Sequence, residues 1–119
     1  MSKTKVTAPT KVLSNVALEL IAARFRALSE PMRLRLLHVL MQGEQTVGQL
    51  VEASGSGQAN VSKHLAVLRD AGMVAMRKEG LTTVCAISDP IVHELCEMMC
   101  SRLKDEMEAK AAELSRFKP

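Results

Sequence analysis

TVGQLVEASGSGQANVSKHLAVLRD, residues 46–70, is the stretch of this sequence that decides the fold. Thr46 is placed to cap a short helix, and the glycines within residues 55–57 interrupt that helix. A second helix is predicted over residues 58–70, because its apolar side chains recur at i, i+4 and i+7. These apolar side chains are Val61, Leu65 and Leu68. Two short helices separated by a glycine-containing turn indicate a helix-turn-helix.

Two helices are expected before this unit. The first is predicted from Lys11 to about Leu28, on apolar positions spaced one helical turn apart. For the second, Ser29 is the expected N-cap, Pro31 lies in the first turn, and Gly43 ends the helix. Its expected buried face consists of Met32, Leu36, Leu37 and Leu40.

A hairpin and a long helix are expected after the helix-turn-helix. Residues 73–76 and 81–87 have the composition of β-strands, and Arg77-Lys78-Glu79-Gly80 is the expected tip between them. The dipeptide Asp89-Pro90 is expected to start a last helix that runs to about Phe117. The order of elements predicts a mainly α fold, a winged helix-turn-helix with a two-stranded hairpin as its wing.

Composition narrows the class of protein. The chain of 119 residues, 47% of them hydrophobic, suits a single domain over residues 11–119 after a flexible tail over residues 1–10. Three cysteines, no secretory signal and no membrane-length apolar run predict a cytoplasmic protein with reduced thiols. We find no catalytic triad, phosphate loop or paired carboxylates, so the sequence argues against an enzyme.

Polar side chains near the start of the helix over residues 58–70 are the types that read DNA bases. Glutamine and asparagine pair with adenine through two hydrogen bonds, and basic side chains bind phosphates. The expected DNA contacts are Ser56, Gln58, Asn60, Ser62, Lys63, His64, Arg69, Arg77 and Lys78. The alternative to DNA binding is that these residues form an ordinary solvated helix face. The basic residues at the hairpin tip favour DNA binding over this alternative. His64 adjoins Leu65, and its other expected role is to bond a backbone group from a half-buried position.

Three segments resemble the ArsR/SmtB family of metalloregulators. They are FRALSEPMRL over residues 25–34, VSKHLAVLRDAGMV over residues 61–74, and RKEG over residues 77–80. The resemblance spans roughly residues 15–100. It implies a homodimer that joins through the first and last helices and acts as a repressor, released by a bound effector from double-stranded DNA. With two recognition helices, the expected operator is an imperfect palindrome. Gly57 departs from the serine that the family often carries, so Ser56 or backbone alone would cap the recognition helix.

The metal sites best known in this family are not matched. Residues 46–52 contain no cysteine pair, and Asp89 and His93 lie four apart, with no second histidine on the last helix. Instead, His93, Cys96 and Cys100 fall within about 60° of one helix face. Two thiols on one face suit a soft ion, with trivalent arsenic as the leading effector and zinc or another soft metal as alternatives.

Other interpretations of the cysteines stay open. Cys96 and Cys100 would also serve as small apolar side chains in a dimer interface, and Cys85 as a core residue of a strand. The third ligand is left open between His93, Cys85 and the other subunit. A redox- or sulfide-responsive thiol switch is a further alternative, although a bond between Cys96 and Cys100 would strain the helix. The sequence also admits a regulator with no small-molecule effector, or a winged helix that binds proteins. No cofactor is expected to be required.

Overall fold

The computed structural model describes residues 12–117, which form five helices and three strands. The elements in chain order are α1 (Asn15–Ala27), α2 (Pro31–Leu40), β1 (Gln45–Thr46), α3 (Val47–Ser54), α4 (Gln58–Asp70), β2 (Val74–Glu79), β3 (Thr82–Ile87) and α5 (Ile91–Ser115). The predicted winged helix-turn-helix is confirmed, with α3 and α4 as its two helices. The predicted flexible tail, residues 1–10, lies outside the described residues.

Local hydrogen bonds set the ends of α3. The Thr46 hydroxyl accepts from the Gln49 backbone N–H at 3.1 Å, and the Gln49 side chain accepts from the Thr46 N–H at 2.8 Å. This reciprocal pair is a capping box, and it satisfies two N–H groups that the first helical turn leaves unpaired. Gly55 ends α3 in the left-handed region, at φ +72°, where a side chain would be strained. The predicted cap at Thr46 is therefore confirmed.

The wing, formed by β2 and β3, differs from the prediction at its tip. The two strands pair in antiparallel register from Val74 with Ile87 to Glu79 with Thr82. Residues 77–79 therefore lie on β2, and the turn is made by Gly80, at φ +63°, and Leu81. The predicted tip over residues 77–80 is wrong because the strand continues through charged residues whose side chains remain in solvent.

A third strand was not predicted. β1 pairs with β3, joining Gln45 to Cys85 and Thr46 to Val84, so the sheet order is β1-β3-β2. A strand of two residues is too short to show an alternation of apolar and polar side chains, so the sequence does not predict it. Its effect is to tie the start of α3 to the wing.

The core lies where α2, α3, α4 and the wing meet. The three predicted apolar residues of α4 are almost fully buried there, which confirms that stripe. Met32 on α2 is only partly buried, against the edge of the core. The core comprises Leu36, Leu37, Leu40, Leu50, Val61, Leu65, Leu68, Met73, Val74, Cys85 and Val92.

The first two helices begin later than predicted. α1 starts at Asn15, because the Ser14 hydroxyl accepts from the Ala17 N–H at 3.1 Å and caps the helix there. Ser29 is not the N-cap of α2: its hydroxyl donates to the Arg26 carbonyl at 2.8 Å, and Glu30 occupies the cap position. Both corrections arise because a serine hydroxyl can bond either way along the chain.

Helices α1 and α5 leave most of their apolar side chains in solvent. Among the described residues, Ala27 is the one buried residue of α1 and Val92 the one of α5. The exposed large side chains of these two helices are Val16, Leu18, Leu20, Ile21, Phe25, Ile91, Met98, Met99, Leu103, Met107 and Leu114. Within residues 12–117, no helix is both long and apolar enough to cross a membrane.

We expect Leu65→Ala to lower the free energy of unfolding by about 2–5 kcal/mol, because Leu65 is 1% exposed and its loss leaves a cavity under α4. Urea denaturation at fixed protein concentration measures this. Leu81→Ala, at a fully exposed position of the turn, is the control and should change little. Equal effects of the two substitutions would contradict the assignment of this core.

Candidate nucleic-acid interface

The polar face of α4 lies opposite its buried stripe. Gln58, Asn60, Ser62 and Lys63 are all exposed, whereas Val61 between them is buried. Four side chains able to donate or accept hydrogen bonds are therefore held within the first two turns of a helix whose other face is fixed in the core. This is the arrangement that a recognition helix needs to enter a major groove.

A groove of about 490 Å³ separates α4 from the wing. Gln58, Ser62 and Arg69 line it from α4, and Lys78 lines it from β2. The groove also includes Gly48 near the start of α3, so α3, α4 and the wing all contribute to one concave surface. We call this surface, together with Asn60 and Lys63, the reading surface.

Ser56 orients Asn60 rather than capping α4. The Asn60 side-chain amide donates to the Ser56 hydroxyl at 2.9 Å, and Gly57 occupies the cap position without any side-chain bond. The Ser56 N–H in turn donates to the Ser54 hydroxyl at 3.2 Å. Backbone alone therefore begins α4, one of the two possibilities that the sequence left open, and the turn fixes the direction of the Asn60 amide.

The predicted DNA contact at His64 needs correction. Its side chain is buried, at 8% exposure, on the core side of α4. Its Nδ1 lies 3.1 Å from the Arg33 guanidinium of α2. A buried imidazole in contact with another helix is not placed to reach a base edge, so we leave His64 out of the reading surface.

The basic residues of the wing and of the end of α4 differ in their surroundings. Lys78 is exposed on β2. Arg69 at the end of α4 is exposed and lies 3.4 Å from the Asp70 carboxylate. Arg77 is held by two carboxylates: it donates to both oxygens of Glu44 at 2.9 Å and to Glu79 at 2.9 Å. Three of the five N–H groups of Arg77 are therefore engaged within the protein, so a contact of Arg77 with phosphate, which stays a prediction, has to compete with these two carboxylates.

Charge strengthens the contact between Arg77 and Glu44. Hydrogen bonding to Arg77, and then its positive charge, holds the pKa of the Glu44 carboxyl below its ordinary value. The carboxylates, Glu44 first and then Glu79, raise the pKa of Arg77. Because the carboxyl pKa is lower in the folded protein, this contact persists at neutral pH and is lost only as the pH falls through that lowered value.

The cysteines lie apart from the reading surface. Cys85 is fully buried in β3, Cys96 is partly buried where α5 packs on the core, and Cys100 is exposed one turn later. Burial raises the pKa of the Cys85 thiol. Burial and then the neighbouring Cys100 raise the pKa of the Cys96 thiol.

The expected metal set is not assembled within one chain. His93 and Cys100 are exposed on α5 and Cys96 is partly buried. Over residues 12–117, no three side chains of the kinds His, Cys, Asp or Glu come together as a metal site. Within one chain α5 offers two neighbouring thiols, and the choice of a third ligand between His93, Cys85 and the other subunit stays a prediction.

Two residues that shape this interface carry no signal in the sequence. Glu44 lies in a loop before β1, 33 residues from its partner Arg77. Arg33 lies in the first turn of α2, 31 residues from His64. Contacts of such separation depend on the tertiary fold, and the local patterns used above do not predict them.

We expect Glu44→Gln to raise the affinity of the protein for DNA about threefold and to steepen its dependence on salt by about one counterion, because Arg77 is then released toward phosphate. Fluorescence anisotropy of a labelled duplex across a range of salt concentrations measures both quantities. Glu52→Gln is the control, since it removes the same charge from an exposed position on α3. A loss of affinity in Glu44→Gln alone would show that the pair holds the wing in its binding position.

Comparison with known proteins identifies relatives among transcriptional regulators. The family model described as bacterial regulatory protein, arsR family, matches residues 30–76. A probable mercury resistance operon repressor of Streptomyces lividans is 42% identical over 71 residues, which are 60% of this chain and 57% of that protein. The HTH-type transcriptional regulator NmtR of Mycobacterium tuberculosis is 35% identical over 89 residues, 75% of this chain and 74% of that protein. The chain thus spans little more than half the length of the first of these relatives.

Solved structures agree with these sequence matches. The crystal structure of M. tuberculosis Rv0081 superposes with a TM-score of 0.74 at 31% identity, over 82% of this chain and 99% of that one. A homodimeric winged helix-turn-helix DNA-binding domain of Mycobacterium bovis, Mb0332, gives a TM-score of 0.74 at 27% identity, over 82% and 93% of the two chains. The fold, the family model and the relatives agree, and the prediction of a regulator rather than an enzyme is confirmed: this chain belongs to the arsR family of bacterial regulatory proteins.

Proposed function

We propose that the protein is a homodimeric transcriptional repressor that binds an imperfectly palindromic operator and is released by a soft, thiophilic ion at Cys96 and Cys100. The observation that carries the proposal is the separation of two surfaces. The reading surface lies on α4 and the wing, whereas the two thiols lie on α5, which like α1 leaves most of its apolar side chains uncovered. A ligand at the thiols would act on the assembly and not by blocking DNA directly.

Dimerisation is supported by the apolar faces of α1 and α5. Phe25 is 60% exposed on α1, and Leu103 and Met107 are 51% and 69% exposed on α5. Soluble monomers rarely leave extended apolar faces in water, and such faces mark sites of association. A second copy of this chain is the occupant we propose, and the related Mb0332 domain is described as homodimeric.

DNA recognition is assigned to the reading surface. In a dimer, two copies of α4 would enter successive major grooves, about 34 Å apart along the duplex. Gln58 and Asn60 are proposed to contact bases, and Ser62 a base or a phosphate. Lys63, Arg69 and Lys78 are proposed to contact phosphates, which supply affinity without sequence preference.

The effector is proposed from the chemistry of two thiols. Thiolates select soft ions, and Cys96 and Cys100 stand one turn apart on α5. Divalent mercury can be bound by two thiolates alone, so it would need no further ligand from this chain. Trivalent arsenic or zinc needs further ligands, which His93 or the partner subunit would supply. A named relative being a probable mercury resistance operon repressor supports a soft metal as the effector class.

We assign to Cys96 the transmission of the binding event. Its side chain packs against the same core that buries Leu65 and Leu68 of α4. An ion that draws Cys96 toward Cys100 would shift α5 on this core and change the position of α4. Coupling between two sites is typically about 1–3 kcal/mol, enough to weaken DNA binding by about tenfold or more.

The proposal is tested by anisotropy of the reduced protein on a labelled fragment of its own upstream DNA, with divalent mercury, arsenite or zinc titrated in separate experiments. We expect salt-sensitive binding that weakens by about tenfold or more with at least one of these ions. The Cys96→Ser and Cys100→Ser variants should bind DNA and no longer respond. Because burial raises the pKa of the Cys96 thiol, the ion must displace a proton, so release should strengthen as the pH rises.

Cys85→Ala is the matched control, since it removes the third cysteine and leaves both thiols of α5 in place. A retained response in this variant supports the assignment, and a lost response would make Cys85 a ligand. If DNA binding is unchanged by all three ions but is lost on treatment with an oxidant or a persulfide donor, the effector is not a metal and the cysteines act as a thiol switch. Binding that ignores every treatment would leave a regulator without a small-molecule effector.

A further inference from the structure

Arg33 joins three helices through one side chain. Its Nε donates to the Ala27 carbonyl at 2.7 Å, and its Nη2 donates to the Arg26 carbonyl at 3.1 Å. Its Nη1 lies 3.1 Å from Nδ1 of His64. Since Arg33 itself belongs to the first turn of α2, its guanidinium connects the end of α1, the start of α2 and the middle of α4.

The end of α1 is a natural partner for this cation. The last four carbonyls of a helix have no partner within the helix, and they carry partial negative charge. Ala27 is buried, at 2% exposure, so its carbonyl needs a partner from the protein. The rigid fork of the guanidinium reaches two successive carbonyls and the imidazole at once, which the single ammonium of a lysine does not.

The contact with His64 meets α4 beside its DNA-facing residues. His64 directly follows Lys63 and lies two positions after Ser62. Because the guanidinium only donates, Nδ1 of His64 is the acceptor, and the ring proton is carried on Nε2. The bond therefore specifies a neutral imidazole in one tautomer, pointing at the end of α1.

We propose that Arg33 is a positioning residue for DNA recognition: it fixes the recognition helix α4 to the end of α1, so that the position of α1 in the assembly determines the position of α4. The inference rests on the proposed DNA-binding function and adds a route to it that does not involve α5. A movement of α1 would then displace α4 through the Arg33 side chain and change how α4 meets the bases. The residues that contact DNA would themselves stay the same.

The test separates operator binding from general DNA binding. We expect Arg33→Lys, which keeps the charge, to weaken binding to the upstream DNA about tenfold and to leave binding to a scrambled duplex of equal length unchanged. His64→Leu should behave alike, whereas His64→Asn, whose carbonyl can replace Nδ1 as the acceptor, should stay near the wild type. Arg35→Lys, at an exposed position two residues later, is the matched control and should show no loss.

A double variant and a spectroscopic measurement complete the test. Since both residues act through one contact, Arg33→Lys with His64→Leu should lose no more affinity than either alone. Nitrogen-15 NMR of the wild-type imidazole should show the Nε2–H tautomer, and Arg33→Lys alone among the arginine variants should disturb it. Additive losses, an equal fall in binding to both duplexes, or an unchanged tautomer in Arg33→Lys would overturn the proposal. Wild-type protein that binds neither duplex, yet shows the Nε2–H tautomer, would overturn the proposed function and with it the role of this contact in DNA recognition.

Discussion

The structure depends on how α4 is divided between two environments. One face of this helix buries Val61, Leu65 and Leu68 in the core, and the opposite face presents Gln58, Asn60, Ser62 and Lys63 to solvent. Because the apolar contacts fix the rotation of the helix about its axis, they also fix which side chains can enter a groove of DNA. Packing and recognition are therefore two results of the same helical period.

The surroundings of α4 restrain its remaining freedom. β1 ties the start of α3 to the wing, the capping box at Thr46 fixes where α3 begins, and Arg33 connects α4 to the end of α1. These contacts are hydrogen bonds between two strands, between side chains and backbone, or between two side chains. These contacts fix the orientation of α4 and of the wing. That matters because DNA recognition requires side chains placed to within fractions of an ångström.

Much of this arrangement follows from the sequence. The ends of α4, the cap of α3 and the glycine at the turn of the wing carry short-range signals, because a helix cap or a left-handed residue is decided by its neighbours. The apolar period of α4 likewise predicted its buried residues. The resemblance of three segments to the ArsR/SmtB family pointed to the same fold and to regulation of transcription.

Other features depend on contacts between distant parts of the chain. The pairing of Arg77 with Glu44 and the burial of His64 against Arg33 arise only when the elements have packed. The sequence therefore predicted His64 as a DNA contact, and it carried no sign of the carboxylate that competes for Arg77. The ligands of an effector depend on distances between elements for the same reason. The spacing of Cys96 and Cys100 is visible in the sequence, but whether a third ligand lies beside them is not; over residues 12–117 of one chain no group of three candidate ligands is gathered.

In the proposed dimer, two copies of α4 are held at a fixed separation and read the two halves of one operator. Hydroxyl-radical footprinting of the reduced protein on its upstream DNA tests this most directly. We expect two protected patches of inverted sequence, centred about 10 base pairs or a multiple of that apart, on one face of the duplex. A single protected patch, or uniform protection without inverted symmetry, would contradict it.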